Sequence, residues 1–188
     1  EILGNNISIR FNENQCGNFS IYVTSVVDTG NIQVKDTSLW IFKTGKVTIN
    51  SVVFSEIMAD PSPKVGLPDY EYIELYNTSE CAINLNQLFI SVGTKQIQLP
   101  NYILESNQYV TLISEDARAY YSDSIFCFLP FWQSLANEGQ VLSLQTLKGV
   151  IISQVLYSDT WYQSNFKKNG GWSLEKIDIH NYSEISEN

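Results

Sequence analysis

The chain has 188 residues, of which 44% are hydrophobic and 13% aromatic, so it can form a core and is not disordered as a whole. Only 16% of the residues are charged and the formal net charge is −9, which argues against a basic surface for nucleic acid or membrane phospholipids. A single histidine, His180, argues against histidine-based triads and multi-histidine metal sites, and no apolar run is long enough to predict a transmembrane segment.

Short β-forming runs separated by Asn, Gly, Asp, Ser and Pro dominate the chain. In the first 50 residues we predict strands at 6–11, 19–26 and 38–43, with a turn at Asp28–Asn31. This segment holds four acidic and four basic residues, and three strands are few for an independent domain. Its first residues, EILGNNISIR, do not resemble a signal peptide, and we expect a trimmed or mature segment. We therefore predict a boundary near residue 50, with residues 1–50 an extension or a fragment of another β module.

The remaining residues, 51–188, carry the whole net charge, with 16 acidic and seven basic side chains. Further strands are predicted at 51–58, 71–77, 87–92, 108–113, 124–128, 140–145, 150–157 and 172–177. The strand at 71–77 alternates, with Ile73 and Leu75 on one face and Glu74 on the other. One short helix is predicted at Ser114–Ser122. Many short strands with a single helix predict an all-β fold, an antiparallel immunoglobulin-like β-sandwich.

Several segments in this second part of the chain follow one another in a recognisable order. They are a hydrophobic strand ending in Glu56-Ile57, a loop with Pro61, the strand Glu71-Tyr-Ile-Glu-Leu-Tyr-Asn77, a turn with Ser79, Ile83-Asn-Leu85, the turn Ser134-Leu-Ala-Asn-Glu-Gly139 and the late strand Gly171-Trp-Ser-Leu-Glu-Lys-Ile-Asp178. This series resembles the lamin-tail domain in its bacterial form. The resemblance extends over residues 51–180.

The resemblance implies an immunoglobulin-like fold without catalytic activity. It also implies structural roles for the motif residues Glu56, Glu71, Glu74, Asn77, Ser134, Asn137 and Gly139. Such domains accompany secreted or cell-envelope proteins in bacteria. The implied location is therefore extracellular or in the cell envelope, and the implied role is interaction or anchoring. The implied partner is a protein or an envelope polysaccharide, with no nucleic acid.

Two sequence features limit or extend this resemblance. Gln87-Leu88-Phe89 stands where the family usually has Gly-Trp, and the chain stops before the family's final Trp and Gly-rich ending, so the sandwich could lack its last strand. Residues 19–35, with VTSVVDTGN, resemble the tail of a bacterial immunoglobulin-like module. The resemblance thus implies a lamin-tail-like domain at 51–188 preceded by part of such a module.

The tryptophans offer an alternative function. Trp132, Trp161 and Trp172 could form a sugar-stacking surface, as in a carbohydrate-binding module, although tryptophan in a β-sandwich more commonly packs in the core. A third interpretation is a structural spacer without a ligand. Exposure of the three rings would favour sugar binding, and their burial would argue against it.

The remaining candidate chemistry is weak. Glu71 and Glu74 lie three residues apart on a strand, and hence on opposite faces, which does not suit an acid–base pair. No nucleophile motif or phosphate-binding loop is present, so no enzyme activity is expected. Asp60, Asp69 and Glu71 could contribute to a calcium site if their loop folds back, and no other cofactor is expected.

The three cysteines fit no metal-binding spacing. They are either small buried hydrophobic residues or include one oxidised pair, for which Cys81 with Cys127 is the favoured choice.

Overall fold

The computed structural model describes residues 2–3, 6–12, 15–24, 26, 30, 32–33, 36–121 and 124–181. The chain divides into two compact units, Glu1–Lys46 and Val47–Asn188. Among the described residues, no helix is both long and apolar enough to cross a lipid bilayer.

The described residues of the first unit form two antiparallel strand pairs. The short strands β1 (Ile2–Leu3) and β2 (Asn6–Ile7) pair with each other. The longer strands β3 (Gly17–Val23) and β4 (Thr37–Lys43) pair along their whole lengths. Burial along β3 alternates residue by residue, which places its apolar side chains on one face.

Two of the three strands predicted in this unit are present nearly as expected, at β3 and β4. The strand predicted at 6–11 is formed only at β2. Asp28, Thr29 and Asn31 of the predicted turn lie outside the described residues.

The second unit is all-β apart from short helical turns. Its strands are β5 (Val52–Met58), β6 (Tyr72–Asn77), β7 (Ile83–Asn84), β8 (Leu88–Val92), β9 (Lys95–Gln98), β10 (Ile103–Leu104), β11 (Tyr109–Ser114), β12 (Phe126–Leu129), β13 (Gly139–Thr146), β14 (Ile151–Ser158) and β15 (Leu174–Glu175). Its helical elements are α1 (Asn165–Lys168) and 3-10 turns at Leu85–Gln87, Glu115–Ala119 and Asp159–Trp161.

These strands form two main sheets. One has the order β12-β11-β6-β5-β15 and the other the order β14-β13-β8-β9, while β7 and β10 form a small separate pair. Strand β12 is parallel to β11, whereas the other described pairs are antiparallel. The predicted all-β, immunoglobulin-like sandwich is confirmed.

Alternating apolar residues from both sheets form one core. It includes Val52, Phe54, Ile57, Ile73, Leu75, Leu88, Ile90, Leu142, Leu144 and Ile152. A second cluster of Met58, Tyr72, Ile113 and Ala117 is packed against Tyr70, Tyr121, Phe126 and Phe128. A bulge between Phe54 and Glu56 inserts Ser55 into β5, so Phe54 faces the core while Glu56 faces outward.

Three local predictions need correction. The helix predicted at Ser114–Ser122 is only a 3-10 turn at Glu115–Ala119, although Ser114 caps it by accepting the N–H of Asp116. The strand predicted at 172–177 is formed only at β15. The Cys81–Cys127 pairing is wrong, because Cys127 is a buried free thiol on β12.

Candidate interaction surface

The motif residue Glu71 is an internal hydrogen-bond acceptor. Its Oε2 accepts the indole N–H of Trp132 at 2.7 Å and the backbone N–H of Leu135 at 3.0 Å. The Trp132 ring is half-buried and packs against the main core. Glu71 therefore links the segment after β12 to the start of β6 through two hydrogen bonds.

The motif residue Asn77 is fully buried at the end of β6. Its Nδ2 donates to the carbonyls of Cys81, Leu104 and Glu105 at 2.8, 2.9 and 3.1 Å. Its Oδ1 accepts the backbone N–H and the hydroxyl of Ser79. Because both polar atoms of the amide have partners, Asn77 fixes the turn after β6.

The Ser-Leu-Ala-Asn-Glu-Gly motif forms the turn that leads into β13. Gly139 has a φ of +125°, and a Cβ added there would lie 2.2 Å from the carbonyl oxygen of Tyr157. The Tyr157 hydroxyl in turn donates to the carbonyl of Ala136 at 2.8 Å. Ser134 and Asn137 are exposed on this turn.

The other two candidate tryptophans are also half-buried. Trp161 packs against the main core. The ring centroids of Trp172 and Phe166 are 6.4 Å apart in an edge-on arrangement, and the Lys167 ammonium lies 4.9 Å from the centroid of the Trp172 ring. The partial burial of all three tryptophans does not favour sugar stacking on their rings. Sugar binding by these tryptophans stays a prediction.

The calcium candidates differ in their surroundings. Asp60 is half-buried, Asp69 is exposed, and Glu71 is engaged as described above. Over the described part of the chain, no group of three or more His, Cys, Asp or Glu side chains is placed to hold a metal ion. Calcium binding by this loop stays a prediction.

Three carboxylates lie side by side on the outer face of the five-stranded sheet, and we call them the acidic row. Glu74 on β6 is directly opposite Glu56 on β5, and Glu56 is directly opposite Glu175 on β15. The Ser55 hydroxyl donates to Glu74 Oε1 at 2.8 Å, and the Tyr72 hydroxyl donates to Glu56 Oε1 at 2.7 Å. No lysine or arginine among the described residues forms an ion pair with these carboxylates; the ion pairs of Arg118 and Lys168 lie elsewhere.

The surroundings raise the pKa of one member of the row, Glu74, and of the neighbouring Tyr72. Burial raises the pKa of Glu74, the hydrogen bond from Ser55 opposes this, and the charges of Glu56 and Glu175 raise the pKa further. Burial, followed by the hydrogen bond to Glu56, raises the pKa of Tyr72. Like charges directly opposite each other on neighbouring strands are destabilising. The row thus has a cost in the isolated chain that a cation would relieve.

The outer face of the four-stranded sheet has a different character. Gln145 Nε2 donates to the hydroxyls of Ser91 at 3.1 Å and Ser143 at 2.9 Å. On the same face Val141 lies directly opposite Leu156. All residues of these four strands are described, and the side chains on this face are uncharged.

Sequence patterns alone do not indicate that several exposed side chains belong to a shared surface. Glu175 joins the acidic row only through the register of β15, which no sequence period specifies. In the first unit Tyr22, Trp40 and Phe42 are 66%, 69% and 45% exposed. Trp40 and Phe42 are two residues apart in a predicted strand, and this period-two spacing could have indicated a shared face.

Comparison with known proteins gives one family match. The model of the Lamin Tail Domain family matches residues 46–159, which is more than half of the chain. No curated protein sequence matches the chain.

Proposed function

Because the chain belongs to the lamin tail domain family, we propose that it is a non-catalytic interaction domain that anchors or positions a bacterial cell-envelope or secreted protein. Family membership supports an interaction or structural role. The resemblance of residues 51–180 to the bacterial form supports the envelope context. The fold alone does not specify the partner, so the surface must supply that argument.

The acidic row is the observation that carries the proposal. Glu56, Glu74 and Glu175 lie on three neighbouring strands, and no ion pair joins them to a lysine or arginine of the described residues. Retaining three adjacent carboxylates costs stability, which is expected where a surface serves binding. A partner that brings positive charge would gain from their field and relieve their repulsion.

The neighbouring side chains favour a protein partner. The rings of Tyr76 and Tyr109 are 4.5 Å apart beside the row, and Tyr109 is 46% exposed. Tyrosine is enriched among the residues that contribute most to binding in protein interfaces. We therefore propose a partner segment that carries lysine or arginine side chains.

The two alternatives make different predictions for the same surface. An uncharged polysaccharide would leave the carboxylates without counter-charges, so the row does not favour it at this face. A spacer would have no partner at the acidic row. Removal of the three charges would then leave the interactions of the protein with other molecules unchanged.

Photo-crosslinking in the producing cell tests the proposal. Tyr109 is replaced in the full-length protein by p-benzoylphenylalanine, and adducts are identified by mass spectrometry after cell fractionation. We expect an adduct with a protein segment rich in lysine or arginine, in the envelope or secreted fraction. It should be lost when Glu56→Gln, Glu74→Gln and Glu175→Gln are combined, and weakened by high salt.

The same photoreactive residue at Leu156 is the matched control, since this side chain is 53% exposed on the uncharged face of the other sheet. Equal adducts from both positions, or adducts that survive removal of the three charges, would contradict a role of the acidic row. Absence of any adduct would favour the spacer interpretation. Adducts found only in the cytoplasm would contradict the proposed location.

A further inference from the structure

The hairpin formed by β3 and β4 presents one face on which aromatic and small polar side chains alternate. Residues directly opposite in an antiparallel pair lie on the same face. The register places Phe42 opposite Asn18, Trp40 opposite Ser20, and Tyr22 opposite Ser38. We call these six residues the aromatic strip: Asn18, Ser20, Tyr22, Ser38, Trp40 and Phe42.

All six side chains of the strip are exposed. The exposed fractions of Tyr22, Trp40 and Phe42 are 66%, 69% and 45%. By contrast, the tryptophans of the second unit, at 132, 161 and 172, are half-buried. Single exposed apolar residues are ordinary, but three aromatic rings on one face of a hairpin indicate a binding surface.

We propose that the aromatic strip binds an uncharged, extended polysaccharide. A sugar ring has an apolar C–H face that can stack on an aromatic ring and hydroxyls at its edge that can bond to amide and hydroxyl groups. Each ring of the strip has such a polar group directly across from it, at Asn18, Ser20 or Ser38. Trp40 and Phe42 are two residues apart on one strand, so they stand about 7 Å apart, which suits an extended chain with a ring stacked on each.

The charge of the strip distinguishes this ligand from others that stack on aromatic rings. Single-stranded nucleic acid stacks on such rings but also needs a positively charged groove. None of the six residues is charged, and the unit that carries the strip holds four acidic and four basic residues, so it has no excess of positive charge.

The strip is independent of the function proposed above. It lies outside residues 46–159, which match the family model. Binding at the acidic row should weaken as salt rises, whereas binding at an uncharged strip should not. The two proposals can therefore fail separately.

Affinity electrophoresis of the full chain tests the inference. The gels contain hydroxyethylcellulose, an uncharged soluble polysaccharide, and parallel pull-downs use insoluble cellulose and chitin. We expect retention by at least one of these polysaccharides that is unchanged in 0.5 M NaCl. Trp40→Ala should weaken binding at least about tenfold, and Trp40→Phe should retain part of it.

Phe131→Ala is the matched control, because Phe131 is 77% exposed outside the strip. Circular dichroism and thermal melting show whether each variant keeps the wild-type fold. Failure of the wild-type chain to bind any of the three polysaccharides would overturn the proposal. So would equal retention of Trp40→Ala and wild type, or equal loss in Phe131→Ala. A concentration-dependent dimer abolished by Trp40→Ala, without polysaccharide binding, would instead assign the strip to self-association.

Discussion

The indole nitrogen of Trp132 lies 2.7 Å from the carboxylate of Glu71, 61 positions earlier in the chain. The same oxygen of Glu71 accepts the backbone N–H of Leu135. Glu71, a calcium candidate, and Trp132, a sugar-stacking candidate, are thus hydrogen-bond partners. Their contact connects the start of β6 with the segment that leads to the turn before β13.

Replacing Glu71 by alanine should destabilise the protein. Removal of the carboxylate leaves two donors without a partner, which costs about 2 to 4 kcal/mol of unfolding free energy. Glu71→Gln should lose much less, because one amide oxygen can occupy the position of Oε2 and accept both bonds. Urea unfolding followed by tryptophan fluorescence measures both variants. Equal losses would show that charge, not hydrogen bonding, is the contribution of Glu71.

The calcium prediction can be tested with the same conservative variant. If Asp60, Asp69 and Glu71 bind the ion, millimolar calcium should raise the melting temperature of the wild type and a chelator should lower it. Glu71→Gln should reduce this response, since it removes one charged ligand. Unchanged melting in calcium and in chelator would contradict the calcium site.

Gly139→Ala should lower the unfolding free energy far more than alanine at another glycine with a positive φ. A Cβ at Gly139 would lie 2.2 Å from a backbone oxygen, and the backbone itself cannot move without disturbing β14. We expect a loss of about 3 kcal/mol or more. Gly149 also has a positive φ, +79°, but a Cβ there meets nothing within 4 Å. Gly149→Ala should therefore cost only about 1 kcal/mol, the conformational part alone.

Denaturant unfolding of the two glycine variants measures this difference directly. A small loss in Gly139→Ala, comparable to that in Gly149→Ala, would contradict the close approach of the turn to Tyr157.

The sequence was sufficient to predict most of the sandwich, because its strands are short β-forming runs bounded by turn-forming residues. The predicted faces of Ile73 and Glu74 are the observed ones, since burial of one face fixes the register. The α-helix predicted at Ser114–Ser122 is wrong because the run of good helix formers there is too short to sustain one, and only a 3-10 turn forms.

The binding surfaces were much less predictable. The acidic row depends on which strands are neighbours, and Glu175 is 101 residues from Glu74 in a two-residue strand. The free state of Cys127 likewise follows from its tertiary position in β12 and not from cysteine spacing.

Cys127 should react slowly with thiol reagents in the folded protein. Burial raises the pKa of its thiol to about 12, so almost no thiolate is present at pH 8. Iodoacetamide labelling of this residue, followed by peptide mass spectrometry, should be slow in buffer and fast in urea. Rapid labelling of the folded chain would contradict the burial of β12.

Glu74 should make the fold less stable as pH rises from acid to neutral. A carboxyl whose pKa is raised in the folded state holds its proton more tightly there. Its contribution is therefore fully present below the ordinary value of 4.5 and is lost as pH rises through the folded pKa. Glu74→Gln stays uncharged at every pH and can still accept the Ser55 hydroxyl. We expect this variant to be at least as stable as the wild type at pH 7 and to show a smaller decline between pH 4.5 and 7.

Glu80→Gln is the matched control, because it also removes one negative charge, but at an exposed side chain outside the row. Urea unfolding at a series of pH values gives the slope for all three proteins. If Glu74→Gln and Glu80→Gln change the slope equally, the effect belongs to the net charge of the chain. A larger change in Glu74→Gln assigns it to burial of this carboxylate and to its repulsion by Glu56 and Glu175, the same repulsion that a cationic partner is proposed to relieve.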